Sequence, residues 1–287
     1  MLIVKKDGIN ELAKELSKKA IVFAPIKRPD GECAFERYEE GESLPAGRQE
    51  IKLDYETTLL SIKEFFLPGT EDIFIFNKEK NKISAGKKPE KFIILGLNSR
   101  DAEALAQLDE IMAKPNLDYF YFKKRNAAVV MPYETEPRKI MPELQKLLVD
   151  PELLHDAVKW SWKNYPEIWE ELKNRCLSCG ICTYVCPLCY CFSTDDASDL
   201  NGLNCRRCRY WTACTLPEFA KITGGYNFHK TLKERYYNWY YHKFVRAYKE
   251  YGKSQCVACG RCQKYCPAKI DMETELIKIV EKYKAQS

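Results

Sequence analysis

The chain predicts an α+β protein in two parts: a mixed α/β domain over residues 1–150 and a mostly helical domain over residues 151–287. Three observations carry this. A continuous apolar strand runs through a turn into an amphipathic helix at "EKFIILGLNSRDAEALAQLDEIM". Helical periodicity fills much of the second half, at "PELLHDAVKWSWKNYPEIWEELKNR" and "KTLKERYYNWYYHKFVRAYKEYG". Of fourteen cysteines, thirteen lie between positions 176 and 266, with Cys33 the one exception.

Taken in order, "MLIVKKDGINELAKELSKKA" predicts an amphipathic helix with charges throughout and lacks the apolar core and cleavage site of a secretory signal. "KAIVFAPIKR" predicts a strand that leaves into a turn at Pro25. "FERYEEGESLPAGRQEIKLDYET" carries Pro and Gly between charged flanks and predicts a hairpin or loop, with "LPAGRQE" a surface insertion. "TTLLSIKEFFLPGTEDIFIFN" predicts a helix ended by Pro68 and Gly69, then a strand alternating around Ile73 and Ile75. The apolar strand "FIILGL" should be buried, and the helix after it presents Ala102, Leu105, Leu108 and Ile111 on one face. "LDYFYFKKRNAAVVMP" predicts further strand. A strand, turn and helix can hold a phosphate at the helix N-terminus, but there is no Gly-rich fingerprint or P-loop. A scaffold or docking role is therefore the reading of residues 1–150.

No apolar run approaches the ~20 residues of a membrane span. A cytoplasmic location is expected, where thiols stay reduced and closely spaced cysteines bind metal rather than pair as disulfides. The net charge of +5, much of it between about 205 and 264, argues weakly for an acidic partner or nucleic acid.

"CLSCGICTYVCP" from Cys176 to Pro187 has the spacing C-x2-C-x2-C-x3-C-P, and "CVACGRCQKYCP" from Cys256 to Pro267 repeats it. In two-cluster ferredoxins the first three cysteines of such a run hold one cubane and the fourth crosses to the other. Cys176, Cys179, Cys182 and Cys266 are thus expected to hold a first [4Fe-4S] cluster, and Cys256, Cys259, Cys262 and Cys186 a second. Gly180 and Gly260 let the backbone approach the sulfides, and proline turns the chain after the exchanged ligand. Paired zinc knuckles are the competing reading, but structural zinc uses two C-x2-C pairs and a longer loop, not triplets ending in Cys-Pro. With 69 residues between Cys186 and Cys256, much of them of helical pattern, the expected architecture is a helical dicluster ferredoxin-like domain.

The repeated aromatics of the second long helix (Tyr237, Tyr240 or Tyr241, Phe244, Tyr248) predict apolar packing, against a competing role in stacking single-stranded nucleic acid. His155, His229 and His242 are expected to be structural. Cys189, Cys191, Cys205, Cys208 and Cys214 remain. Single buried thiols are ordinary packing residues, but five within 26 positions, interleaved with Arg206, Arg207 and Arg209, suffice for a third metal centre, iron-sulfur in preference to zinc. Its expected ligands are Cys189, Cys191, Cys214 and Cys208, with Cys205 as the alternative to Cys208; the arginines would balance the thiolate charge.

The run "CLSCGICTYVCPLCYCF", with "RYWTAC", "GGYNFHKTLKER", "YYHKF" and "CVACGRCQKYCPAKID", resembles the iron-sulfur β subunit of cytoplasmic sulfhydrogenases, the NADP-linked nickel-iron hydrogenases. It is also similar to the A subunit of anaerobic sulfite reductase. The likeness extends to "SIKEFFLP" and "FIILGLNSRDAEALAQLD" and so covers nearly the whole chain. Relative to longer members this chain is shorter between about 131 and 150. The resemblance implies a subunit that carries electrons between a flavin subunit handling NAD(P)H and the small and large nickel-iron hydrogenase subunits, or a sirohaem subunit in the sulfite-reductase case. The eight motif cysteines carry over, as do Cys189, Cys191 and Cys214. No catalytic residue, flavin or nicotinamide fingerprint stands out, so bond chemistry is expected on the partners. No membrane or nucleic-acid partner is expected; the competing class is a zinc-stabilised nucleic-acid-binding protein.

Overall fold

The computed structural model describes residues 8–39, 50–86, 88–133 and 140–286. All but the last residue of the expected insertion "LPAGRQE" lies outside them, as does part of the segment 131–150. In chain order the elements are α1 (Ile9–Ser17), β1 (Ile21–Lys27), β2 (Cys33–Arg37), α2 (Lys63–Phe66), β3 (Thr70–Asn77), β4 (Lys82–Ala85), β5 (Phe92–Leu97), α3 (Ser99–Ala113), α4 (Tyr119–Arg125) and β6 (Ala128–Pro132). There follow α5 (Pro142–Leu148), α6 (Pro151–Asn164), α7 (Pro166–Arg175), α8 (Ile181–Tyr184), β7 (Phe192–Ser198), β8 (Asn204–Trp211), α9 (Leu232–Tyr240), a π-helical turn (Tyr241–Arg246), α10 (Ala247–Tyr251), α11 (Arg261–Lys264) and α12 (Met272–Lys284).

These elements form two compact units, one of residues 1–68 and 87–138, the other of residues 69–86 and 139–287. The expected division at residue 150 therefore differs from the observed one. The β3–β4 hairpin leaves the first half to pair with β8, and α5 packs with α6 and α12.

The first unit holds a four-stranded sheet of order β2-β1-β5-β6, parallel from β1 through β6 with β2 antiparallel at the edge. Every residue of β5 is buried, as its unbroken apolar run requires. Asn98 caps α3 by accepting from the Asp101 N–H at 2.8 Å, and the helix buries Ala104, Leu105, Leu108 and Ile111. Two local expectations shift. Pro25 lies inside β1, beyond the last β5 partner at Phe23, so its missing N–H takes no bond from that ladder. "YFYFKKR" is helix α4, not strand: Asp118 accepts from the Tyr121 N–H at 2.8 Å, three cationic residues fill the last turn, and Tyr121 is buried.

The second unit packs α6, α7, α9, the π-turn and α12 around Trp169, Leu172, Tyr240, Phe244, Leu276 and Ile279. The aromatic repeat is packing: Tyr236, Trp239, Tyr240 and Phe244 are buried, and Tyr237 stacks on Trp162 with centroids 4.6 Å apart. Thr231 and Glu234 form a reciprocal capping box that starts α9. Gly252, in the left-handed region, ends α10. Beside these helices lies a four-stranded antiparallel sheet of order β4-β3-β8-β7, where helix was expected across much of the link between the cysteine runs.

Candidate metal centre

The two cysteine runs fold alike. In the first, Ser178 (φ 55) and Gly180 (φ 78) are left-handed and lead into the single turn α8; in the second, Ala258 (φ 50) and Gly260 (φ 72) lead into α11, and the two turns pack on each other. Left-handed residues alternating with right-handed or extended ones can aim backbone N–H groups into a concavity suited to anions. The Ser178 N–H donates to Cys176 Sγ and the Ala258 N–H to Cys256 Sγ, each at 3.4 Å. The Ile270 N–H donates to Cys266 Sγ at 3.5 Å. A Cβ at Gly180 would stand 2.8 Å from the Ala213 Cβ, and one at Gly260 2.6 Å from Ile140 Cγ2, so neither loop has room for a larger residue.

The thiols gather in two sets, each drawing its fourth member from the opposite run. Burial pushes the Cys182 thiol up to about 12, and Cys176, Cys179 and Cys266 add to the rise. Burial likewise holds Cys256 at about 12, with Cys259 and Cys186 among the groups that raise it, and holds Cys262 well above the usual range beside Cys259, Cys256 and Cys186. Packed thiols resist ionisation because burial and mutual repulsion both penalise the anion. Iron would reverse this by deprotonating its ligands outright, so a metal-free set stays neutral and a metal-loaded one would carry charge. Among the described residues no three His, Cys, Asp or Glu side chains close around a single ion. A cubane instead spreads its thiolates over a four-iron body.

A third group of thiols sits beside both sets. Cys189 hydrogen-bonds Cys186, and Cys214 hydrogen-bonds Cys191; these bonds and then burial hold both Cys189 and Cys214 well above the usual thiol range. Cys189, Cys191 and Cys214 line a cavity of about 210 Å³ together with His242, Lys243 and Gln255. Burial pulls His242 down to about 4, which leaves a neutral imidazole there.

Cys208 and Cys205 do not join them. Both lie on β8, where Cys208 pairs with Asp195 and donates to its carbonyl at 3.6 Å, and Cys205 pairs with Ser198. The ladder places Cys208 three residues beyond the Trp211–Phe192 pair and Cys205 six. At ~3.4 Å per residue that carries them roughly 10 and 20 Å from the Cys191 end. The arginines beside them are also engaged elsewhere: Arg207 pairs with Asp196 at 2.6 Å, Arg206 faces Asp72 at 3.8 Å, and Arg209 pairs with Glu71.

The cations beside the thiols come from positions that sequence patterns passed over. Buried Arg235 donates to the carbonyls of Thr215 and Lys230 at 3.0 and 2.9 Å and acts on Cys176. Lys243, on the π-turn, donates from Nζ to Cys186 Sγ at 3.2 Å and to the Gln255 carbonyl at 3.3 Å. Burial pulls its pKa down, and negative charge on Cys186, Cys189 and the neighbouring sulfurs, when they are ionised, pulls it up. In periodicity it reads as one more surface lysine. His155 Nδ1 bonds Asp156 at 2.9 Å, and the backbone N–H of His229 donates to Asn227 Oδ1.

A family model described as 4Fe-4S dicluster domain matches residues 175–270. The chain is 23% identical to sulfhydrogenase 2 subunit beta of Pyrococcus furiosus, over 91% of this chain and 92% of that protein. No solved structure matches. The helices among the described residues are none of them long and apolar enough to cross a membrane. The paired cysteine runs thus match the model of a 4Fe-4S dicluster domain, in a chain that is similar to a sulfhydrogenase β subunit along nine-tenths of its length.

Proposed function

We propose that this chain is the iron-sulfur electron-transfer subunit of a cytoplasmic multisubunit oxidoreductase, relaying electrons between a flavin subunit that handles NAD(P)H and a nickel-iron hydrogenase module of small and large subunits. The observation that carries it is the pair of like-folded loops whose fourth cysteine is exchanged, with Cys266 beside Cys176, Cys179 and Cys182, and Cys186 beside Cys256, Cys259 and Cys262. These two sets would each hold a [4Fe-4S] cluster, which when bound takes up and gives back single electrons. The chain's own part is to orient eight thiolates, donate backbone N–H groups to Cys176, Cys256 and Cys266, and bury Cys186 and Cys259 of the second set. Cys189, Cys191 and Cys214, at their shared cavity, would hold a third iron-sulfur centre. The first unit would serve as scaffold and docking surface for partner subunits.

A sirohaem-bearing sulfite reductase is the second setting in which the same relay would work, given the resemblance of the cysteine run to that enzyme's A subunit. The nucleic-acid reading loses support because Tyr240 and Phe244 are buried and the half-buried Tyr237 is already stacked on Trp162. The test is to isolate the native complex without oxygen, count iron and follow bleaching by dithionite. About eight to twelve irons per chain and hydrogen-dependent NADP reduction support the relay, while a colourless zinc protein refutes it. A native complex that carries sirohaem and lacks nickel redirects it to the sulfite reductase.

A further inference from the structure

The two runs share a backbone but not their surroundings. In the first set Cys179 is exposed, whereas in the second Cys186 and Cys259 are buried. Lys243 reaches the second set from the apolar core and is 3% exposed. Its head group bonds Cys186 Sγ and the Gln255 carbonyl and lies 5.2 Å from the centre of the Trp239 ring. Three features fix it there. It stands on a π-turn, a form concentrated at functional sites. Its own carbonyl accepts from the Gln255 N–H at 2.8 Å. Gln255, the residue directly before Cys256, in turn donates to the Leu188 carbonyl, two residues past Cys186. An ammonium in an apolar core is costly unless negative charge faces it. Neutral thiols would not supply that charge; a thiolate-ligated cluster does.

We propose that Lys243 is a potential-setting residue: its fixed positive charge and N–H···S bond raise the reduction potential of the cluster at Cys186, Cys256, Cys259 and Cys262, so that this buried site accepts an electron that enters at the exposed one. The proposal rests on the ligand assignment above. The step is one electron from a low-potential one-electron donor to the iron of that cluster; no bond forms or breaks, and Lys243 keeps its three protons. Reduction adds negative charge to an already anionic group, which burial alone disfavours. A cation bonded to a ligand sulfur in a low-dielectric site favours the reduced form.

The test compares the full chain with Lys243→Met, which keeps the chain's bulk and removes the charge, and with Lys243→Arg, which restores the charge. All are purified without oxygen, their iron is counted, and their cluster couples are titrated with dithionite and mediators under EPR detection. In Lys243→Met one couple should fall so far that its reduced fraction drops at least tenfold at a fixed potential, about 59 mV for a one-electron couple. With the third centre removed in all three proteins by Cys189→Ser and Cys191→Ser, two couples remain; the couple at Cys176, Cys179, Cys182 and Cys266 should move less, and Lys243→Arg should recover most of the loss. Two unchanged couples, or two equal shifts, overturn the proposal. If Lys243→Met does not retain iron, wild-type protein grown on 15N-lysine decides: a nitrogen coupling on one reduced cluster signal, lost in Lys243→Arg, supports the contact, and its absence overturns it. Wild-type protein without four-iron clusters would refute the ligand assignment itself, and the lysine's role with it.

Discussion

Gly260→Ala should destabilise the second unit well beyond what its backbone conformation costs. At φ 72 an alanine meets left-handed strain of roughly 1–2 kcal/mol. Its Cβ would also stand 2.6 Å from Cγ2 of Ile140, a β-branched methyl that cannot swing aside without its whole side chain. Overpacking of this kind adds about 1–3 kcal/mol, for a total near 2–5 kcal/mol. Gly225→Ala is the internal control: φ is 85, but no atom lies within 4 Å of the added Cβ, so strain alone should act. At about 2–4 °C per kcal/mol for a unit of this size, Gly260→Ala should lower the melting temperature roughly 4–20 °C and Gly225→Ala roughly 2–8 °C. Circular dichroism at one scan rate measures both, since metal-loaded proteins often unfold irreversibly. Ile140→Ala removes the clashing methyl, and in a double-mutant cycle with Gly260→Ala should return about 1–3 kcal/mol as favourable coupling. Equal losses at Gly225 and Gly260 together with no coupling to Ile140 would refute the steric account.

Cys189→Ser with Cys191→Ser should remove about four irons of about twelve and spare the other eight; unchanged iron would reduce these thiols to packing. Cys205→Ser and Cys208→Ser should leave iron content as it was, because both sit down the β8 ladder. Glu275→Gln removes a buried carboxylate that accepts from Arg175 and Lys278 at 2.9 Å each, and should cost about 1.5–3 kcal/mol in thermal or denaturant unfolding. Burial holds Glu64 near 7, against the opposing pull of Arg28 and Lys63, so the folded chain keeps a proton that the unfolded chain releases near 4.5. Its contribution is therefore present at low pH and lost as pH rises from about 4.5 through 7; Glu64→Gln should flatten that slope of stability against pH.

The metal-binding half was legible wherever chemistry demands a local pattern. Three closely spaced thiolates, a small residue after the second and a proline after the fourth recur because one tight loop must satisfy all of them, and Gly180 and Gly260 occupy the left-handed positions that the pattern implies. Asn98 and α3 were legible for a similar reason, since an N-cap and an apolar stripe are short-range features. What escaped depends on distant partners. The β3–β8 ladder joins Phe74 to Arg207 across more than 130 positions, and no local preference names such a partner. Arg206, Arg207 and Arg209 looked like a cationic belt for thiolates until Asp72, Asp196 and Glu71 met them across the sheet. Lys243 escaped because a π-turn shifts helical phase by a residue, turning an apparently solvated lysine inward.

The β3–β4 hairpin has a practical consequence for anyone dividing this chain. A fragment that begins at residue 139 would carry all thirteen clustered cysteines and every helix of the second unit. It would still lack the strand that covers one side of β8, laying bare a run of unpaired backbone from Asn204 to Tyr210 as a template for aggregation. A fragment ending at residue 138 would instead carry the orphaned hairpin, with Phe74 and Phe76 torn from their partners. The two units are thus interleaved along the sequence, and a cluster module made alone would require the hairpin grafted ahead of residue 139 by a new linker.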